Sequence, residues 1–566
     1  MKRLMLGCAV VLAALGCDDG DDNTTDAGGD LDARPMADGA PTDGGAPDMT
    51  ANDAMAPDAA PPDQGMARCP ATSDPAAGLV ATSEGAAQGT QVGDAWLWRA
   101  LPFAAPPVGD LRWRAPEQPA CYAGGVRAAA DFAPRCPQLD GDTPTGDEDC
   151  LYLNIWAPAA APTDGMPRPV MFFIHGGGNV QGSAIERLGD DLIYDGQRLA
   201  ERFGVVVVSI QYRIGPLGWL VHPALQADGH FGTLDQIAAL RWVQANIGAF
   251  GGDAGRVMIF GESAGGVDVC VLMSSPLAAG LFHAAAMESG GCLMRTRAEV
   301  EAQGVEQVTA AGCADDEDID GCMRARSAAQ LLMDLPPVVD VAGRTSAMQP
   351  YVDGTVLPEQ PEVAMAAGRH NHVPFLVGAN ADETSRNVPP LRTEAAYELA
   401  VRALAGPLTP QVLEMYPAAD YDSPTDALIQ LTTDAKFVCG ARRAARAAAA
   451  GQAEPVFAYH FAQNLSQAPL QARFGAFHGI ELFFVWQRLD LAGYRASEGE
   501  EALGATLGGY WSRLATQGDV NGDGATEWPT YTAEDDAVLW MSADETRVER
   551  GLRADKCDFW DVVLAP

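Results

Sequence analysis

The sharpest chemical signal in this 566-residue chain is Gly261-Glu262-Ser263-Ala264-Gly265. A serine hydroxyl is a weak nucleophile, so this serine could do chemistry only with a base to remove its proton and an acid to orient that base. With 61 glycines in the chain, such a string arises by chance about 0.2 times, so its setting must carry the argument. It follows the apolar run Val257–Phe260 and precedes a helix-like stretch opening at Gly266. A strand-to-helix elbow needs tiny residues two positions either side of the serine, because strand and helix nearly touch there. A second glycine run, His175-Gly176-Gly177-Gly178, follows the apolar stretch Val170–Ile174. Acyl transfer builds negative charge on oxygen, and side-chain-free residues let backbone amides face it. Gly177 and Gly178 are the expected donors, joined by the amide of Ala264. His175 reads as an orienting residue of that loop rather than a base.

The acid and base must come from further along. Asp382 and Glu383 both follow the apolar run Val373–Val377, and the residues alone leave the choice between them open. Among eight histidines, His478 stands out. It lies in the glycine-flanked loop Gly475-Ala476-Phe477-His478-Gly479, ahead of an apolar helix. His370 and His372 form a close pair, but no third metal ligand accompanies them, and neither metal nor cofactor is expected. The acidic string from Asp519 to Gly524 opens like a calcium loop. It lacks the bidentate glutamate at its twelfth position, where Thr530 stands, and reads as a surface loop.

Positioning these groups requires a sheet. Short apolar runs at Val170–Ile174, Val205–Ile210, Val257–Phe260, Val373–Val377 and Pro455–Phe461 alternate with helical patterns such as Leu234–Ile247. Continuously apolar strands separated by helices predict an α/β fold, a large and mostly parallel sheet buried on both faces. No repeat and no second linker appear, so residues 66–566 are expected to form a single catalytic domain.

Composition narrows the partners. The chain carries 37 Lys and Arg against 76 Asp and Glu, a formal charge of −39. Such a surface repels phosphate backbones and anionic lipid headgroups, which argues against nucleic-acid binding. Residues 1–16 read as a signal peptide: Lys2 and Arg3, an apolar core from Leu4 to Leu15, then Gly16. Ala13-Ala14-Leu15-Gly16-Cys17 resembles a bacterial lipobox, with Cys17 as the lipidated mature N-terminus. Residues 17–65 are then a disordered tether. Positions 18–65 hold 13 aspartates, no aromatic and one leucine, too little apolar surface to offset the entropy of ordering. The only expected membrane contact is through that lipid, on an exported protein anchored in the cell envelope (periplasm or cell surface) or otherwise secreted.

Cysteine parity agrees with export. Of twelve cysteines, removing Cys8 and Cys17 leaves an even number, as suits an oxidising compartment. Spacing suggests short loops closed by Cys136–Cys150 and Cys313–Cys322, with Cys439–Cys557 stapling the chain end. Cys270–Cys292 and Cys69–Cys121 complete the set by elimination.

Eight ordered blocks carry a resemblance. They are Phe103–Trp113, Glu148–Ile155, Phe173–Gly178, Tyr212–Leu220, Leu234–Gln236, Phe250–Asp253, Phe260–Gly266 and His478–Leu482. From about residue 75 to the end the chain resembles the type-B carboxylesterase (cholinesterase-like) family of the α/β-hydrolase superfamily. The resemblance implies an α/β-hydrolase fold, a small-molecule ester as substrate, and Ser263, Glu383 and His478 as nucleophile, acid and base. It also implies the disulfides Cys136–Cys150, Cys313–Cys322 and Cys439–Cys557. One departure concerns substrate. The first disulfide loop, Pro137 to Asp149, is short and has no aromatic to receive a choline cation, which argues against acetylcholine. Rival expectations are a catalytically silent adhesion protein of the same fold, and a thioesterase or acyltransferase.

Overall fold

The computed structural model describes residues 69–162, 165–225, 227–336, 348–522 and 524–564. The signal peptide, Cys17 and the tether to residue 65 lie outside the described residues.

Eleven strands form one sheet. In chain order they are β1 (Thr90–Val92), β2 (Ala95–Pro102), β3 (Tyr152–Pro158), β4 (Arg168–Ile174), β5 (Val206–Ile210) and β6 (Gly252–Glu262). The remainder are β7 (Ala284–Glu288), β8 (Phe375–Asn380), β9 (Val456–Phe461), β10 (Ala537–Met541) and β11 (Thr546–Arg550). Their spatial order is β11-β10-β9-β8-β7-β6-β4-β5-β3-β2-β1. From β5 across to β10 every pairing is parallel, while β1, β2 and β3 on one edge and β11 on the other are antiparallel. The sheet is therefore mixed, with a parallel centre.

The central strands are apolar throughout because both faces are covered. On β4, Val170, Phe172 and Ile174 enter one hydrophobic cluster, and Met171 and Phe173 enter another. Ile237, Leu240 and Val243 of helix α1 (Phe231–Asn246) cover the first face. Behind β6 runs α2 (Ala264–Ser274). Further on lie α3 (Pro424–Thr433) and α4 (Cys439–Gly451), joined by a π-helical turn at Asp434–Val438. Leu507, Trp511 and Leu514 of α5 (Glu498–Gln517) cover the second face. Each such fully buried side chain contributes about 2 kcal/mol.

The sheet's parallel centre gathers the functional loops at one edge. Gly261 of β6 sits opposite Ile174 of β4, and Glu288 of β7 opposite Gly378 of β8. The segments following these strands leave the sheet together, at the carboxyl ends where α/β sheets place their sites.

Five disulfides are present: Cys69–Cys121, Cys136–Cys150, Cys270–Cys292, Cys313–Cys322 and Cys439–Cys557. The last ties the final helix, α6 (Ala554–Val563), to the start of α4 across 118 residues. They point to an extracellular or secreted protein. No helix among the described residues is long and apolar enough to cross a membrane.

Candidate active site

Ser263 occupies a backbone conformation that only its surroundings can hold. It has φ 59° and ψ −119°, outside the regions L-residues favour, at a cost of about 1–3 kcal/mol. Its N–H donates to the Glu288 carbonyl at 2.9 Å, and its own carbonyl accepts from the Val267 N–H at 3.0 Å. The flanking glycines are obligatory. A Cβ on Gly265 would stand 2.1 Å from the Ile174 carbonyl oxygen, and one on Gly261 would stand 2.6 Å from the Gly265 carbonyl carbon. Gly176 packs against the same turn, where a Cβ would approach the Ser263 Cβ to 3.0 Å. The glycine loop and the serine elbow are thus in contact.

That loop is braced from beneath. His175 is buried, stacked on Tyr212 with ring centroids 4.5 Å apart, and its Nδ1 lies 2.9 Å from the Gly176 carbonyl oxygen. Burial pushes its imidazole down to about 4, so it is neutral and orienting, as its place in the motif suggested. The Tyr212 hydroxyl donates to the His175 carbonyl at 2.7 Å and lies 3.1 Å from Asn179 Oδ1. Asn179 Nδ2 and Gln236 Nε2 donate to Asp268 on α2, at 3.3 and 2.7 Å. Asp268 is fully buried, and burial outweighs these donors to push its carboxyl up to about 7. This network links the glycine loop to the helix behind the serine. Nothing in the motifs signalled it, since Asn179 and Asp268 meet only in the fold.

The two candidate acids face different partners. Glu383 is buried and accepts from the Asn380 N–H at 2.7 Å, while its other oxygen lies 2.6 Å from His478 Nδ1. Asp382 instead accepts from the Ala476 N–H at 3.0 Å, holding the histidine loop in place. The His478 ring rests 4.8 Å from that of Phe437, which the π-helical turn carries. Its Nε2 faces Glu262 Oε1 at 3.2 Å. Among the described residues no side-chain hydrogen bond runs between Ser263 and His478; in unliganded sites such bonds are often open. Burial opposes a charge on His478, but Glu262 and Glu383 outweigh it and hold the imidazole above its ordinary value.

Glu262, Glu288 and Glu481 are buried behind this pair. Burial raises all three carboxyls; Glu481 and Glu262 add to the rise at Glu288, Glu262 and Glu383 add to it at Glu481, and at Glu262 the His478 cation opposes burial while Glu383 adds to it. Trp511 Nε1 donates to Glu288, and Asn380 Nδ2 to Glu481. Glu262 and Glu481 stood inside quoted sequence blocks, yet only the fold shows that they cluster.

Ser263, Glu262, His478, Gly177, Gly178 and Ala264 line one cavity of about 1260 Å³. His370 and His372 lie elsewhere, bonded to Gln452 Oε1 at 2.8 Å and the Gly368 carbonyl at 3.1 Å. At the calcium-like loop, Asn521 turns inward, and its Oδ1 accepts from the Trp528 N–H at 2.7 Å.

The profile of the carboxylesterase family matches residues 76–560. The chain belongs to that family. A cocaine esterase of Homo sapiens is 34% identical over 506 residues, covering 82% of this chain and 86% of its own. A para-nitrobenzyl esterase of Bacillus subtilis (strain 168) is 32% identical over 489 residues, covering 83% and 95%. A solved PNB esterase structure superposes with a TM-score of 0.74 at 31% identity, over 86% of this chain and 100% of that one. The fold is the α/β-hydrolase fold, and the activity that goes with the family is carboxylic ester hydrolysis.

Asp268 makes a testable contribution to stability. Its folded pKa near 7 lies above the ordinary value of 3.8, so the stability it contributes is complete below pH 3.8. It is lost as pH rises towards 7, because the unfolded chain releases the proton first. Urea unfolding of Asp268→Asn should therefore gain on the parent as pH rises from 4 to 7, by up to about 1.4 kcal/mol per pH unit. A difference independent of pH would contradict this.

Proposed function

We propose that Ser263, His478 and Glu383 perform the family's ester hydrolysis through an acyl-enzyme. The observation that carries this reading is the 2.6 Å contact between Glu383 and His478 Nδ1 on the cavity that Ser263 also lines. His478 Nε2 exchanges Glu262 for the Ser263 hydroxyl and takes its proton as Oγ attacks the ester carbonyl carbon. The amides of Gly177, Gly178 and Ala264 receive the resulting oxyanion, and each such donor is worth about 3 kcal/mol of barrier. Glu383 keeps the ring in the required tautomer and stabilises its cation. The tetrahedral centre collapses, and the alcohol leaves with the proton from His478. Water then attacks the acyl group by the same route, releasing acid and free serine. These residues meet every proton and charge demand of the two half-reactions without a cofactor. An intact constellation favours an enzyme over a silent adhesion protein, and membership of the carboxylesterase family favours water as the acceptor.

Residues 66–566 are, in this reading, the catalytic domain. Cys17 anchors it by lipid to the cell envelope, and the segment to residue 65 spaces it about 40 Å from the membrane.

Ser263→Ala should lower kcat for 4-nitrophenyl butyrate by about 10⁴-fold or more and abolish fluorophosphonate labelling. Equal turnover by parent and variant would overturn the assignment. Because Glu262 raises His478 and only the neutral imidazole accepts a proton, the acid limb of kcat/KM should move to lower pH in Glu262→Gln. An unmoved limb would show that Glu262 does not act on the base. Expressed in a bacterial host, the full chain should incorporate labelled palmitate, and Cys17→Ser should not; label retained in that variant would remove the anchor.

A further inference from the structure

The cavity around Ser263 opposes the charge of the rest of the molecule. Overall the chain holds 37 cationic against 76 anionic residues, yet seven arginine and lysine side chains line this cavity against four carboxylates. In a strongly acidic protein that lining places cations on the wall where substrate binds.

Several of those cations are occupied by the protein itself. Arg443 pairs with Glu362 and Asp561, both at 3.3 Å. Arg187 donates to the Asp190 carbonyl at 2.5 Å, and Arg295 to the Glu299 carbonyl at 2.9 Å. Arg386 differs. It is half-buried, and its guanidinium lies 4.9 Å over the Phe477 ring and 5.7 Å from that of Phe474. No carboxylate among the described residues reaches it within ion-pair distance. A guanidinium stacked in this way satisfies its face and keeps its planar N–H edge for a planar anion. Its position also matters. Arg386 is three residues beyond Glu383, and the ring beneath it belongs to the residue before His478. An uncommitted cation is thus built onto the loops that carry the proposed acid and base, facing the cavity they share.

Much of the remaining lining is apolar, including Leu404, Leu408, Leu431 and Trp560. The cavity therefore offers a largely apolar chamber with a positive fork on the wall of the space that Ser263 also lines.

We propose that this carboxylesterase selects esters bearing a free carboxylate on an aliphatic chain, and that Arg386 receives that carboxylate. The inference rests on the esterase reading above and adds a substrate class to it.

Mono-4-nitrophenyl suberate, compared with its ω-methyl ester, tests the assignment with one chain length and one leaving group. The parent enzyme should favour the acid in kcat/KM by about tenfold at low ionic strength, and about 0.5 M NaCl should erode that preference. Arg386→Gln should lower the acid-to-methyl ratio by about tenfold, and Arg386→Lys should retain part of it. A ratio within one variant cancels any loss of folded enzyme, so a purely structural strut would lower both rates and leave it unchanged. Arg473→Gln should also leave it unchanged, since Arg473 lies over Phe474 without lining the cavity. A parent ratio of one or less overturns the inference, as does a ratio that survives Arg386→Gln. If the parent turns over neither ester, the esterase reading itself fails; methyl-ester turnover without preference removes only the substrate class.

Discussion

The contact between the serine elbow and the glycine loop governs the rest of this structure. Where β6 turns into α2, backbone meets backbone at distances that exclude even a methyl group: a Cβ at Gly265 would meet the Ile174 carbonyl oxygen at 2.1 Å. That closeness seats the glycine loop against the serine turn, and Gly177, Gly178 and Ala264 line one cavity. It also forces Ser263 to φ 59°, and the parallel neighbours β4 and β7 hold it there. Remove the closeness, and the serine becomes an ordinary loop residue.

Electrostatics impose a second constraint on the same few residues. Glu262, Glu383 and Glu481 are all buried near one imidazole, and Glu288 is buried near Glu262 and Glu481. Burying so many carboxylates is tolerable only if some hold their protons or find donors, as Trp511 and Asn380 provide. The imidazole answers by being easier to protonate. In the proposed mechanism, a base whose affinity is raised by neighbours holds the proton from serine more firmly, at the expense of activity in acid. Beyond this acidic floor, seven arginine and lysine side chains line the cavity wall.

Support for the glycine loop is equally collective. His175, Tyr212, Asn179, Gln236 and Asp268 come from four separate stretches of chain and form one buried hydrogen-bonded strut. Asn179 accepts a left-handed conformation, φ 59°, that few side chains tolerate. A buried neutral histidine beside the nucleophile loop is thereby a brace, not a second base.

The chemistry-bearing strings and the central strands were legible in the sequence because their causes are local. Glycine spacing around Ser263 reflects steric contact within the turn. The apolar runs from Val170 and Val257 mark strands covered on both faces, and β4 and β6 extend a few residues beyond them. Alanine-rich β7 gave no such sign, since alanine has little intrinsic preference for a strand, and its neighbours β6 and β8 impose the conformation. The antiparallel edge strands likewise take their state from pairing. Residue types alone could not separate Asp382 from Glu383, because adjacent carboxylates differ only in what each one faces. Only the tertiary structure decided that Glu383 meets His478, that Asp268 braces the glycine loop, and that Arg386 stands uncommitted beside the cavity. The sequence by itself determined the reactive groups and the turns that expose them. Which groups share a proton, a field or a wall depends on contacts between segments hundreds of residues apart, and those distances exist only once the sheet has formed.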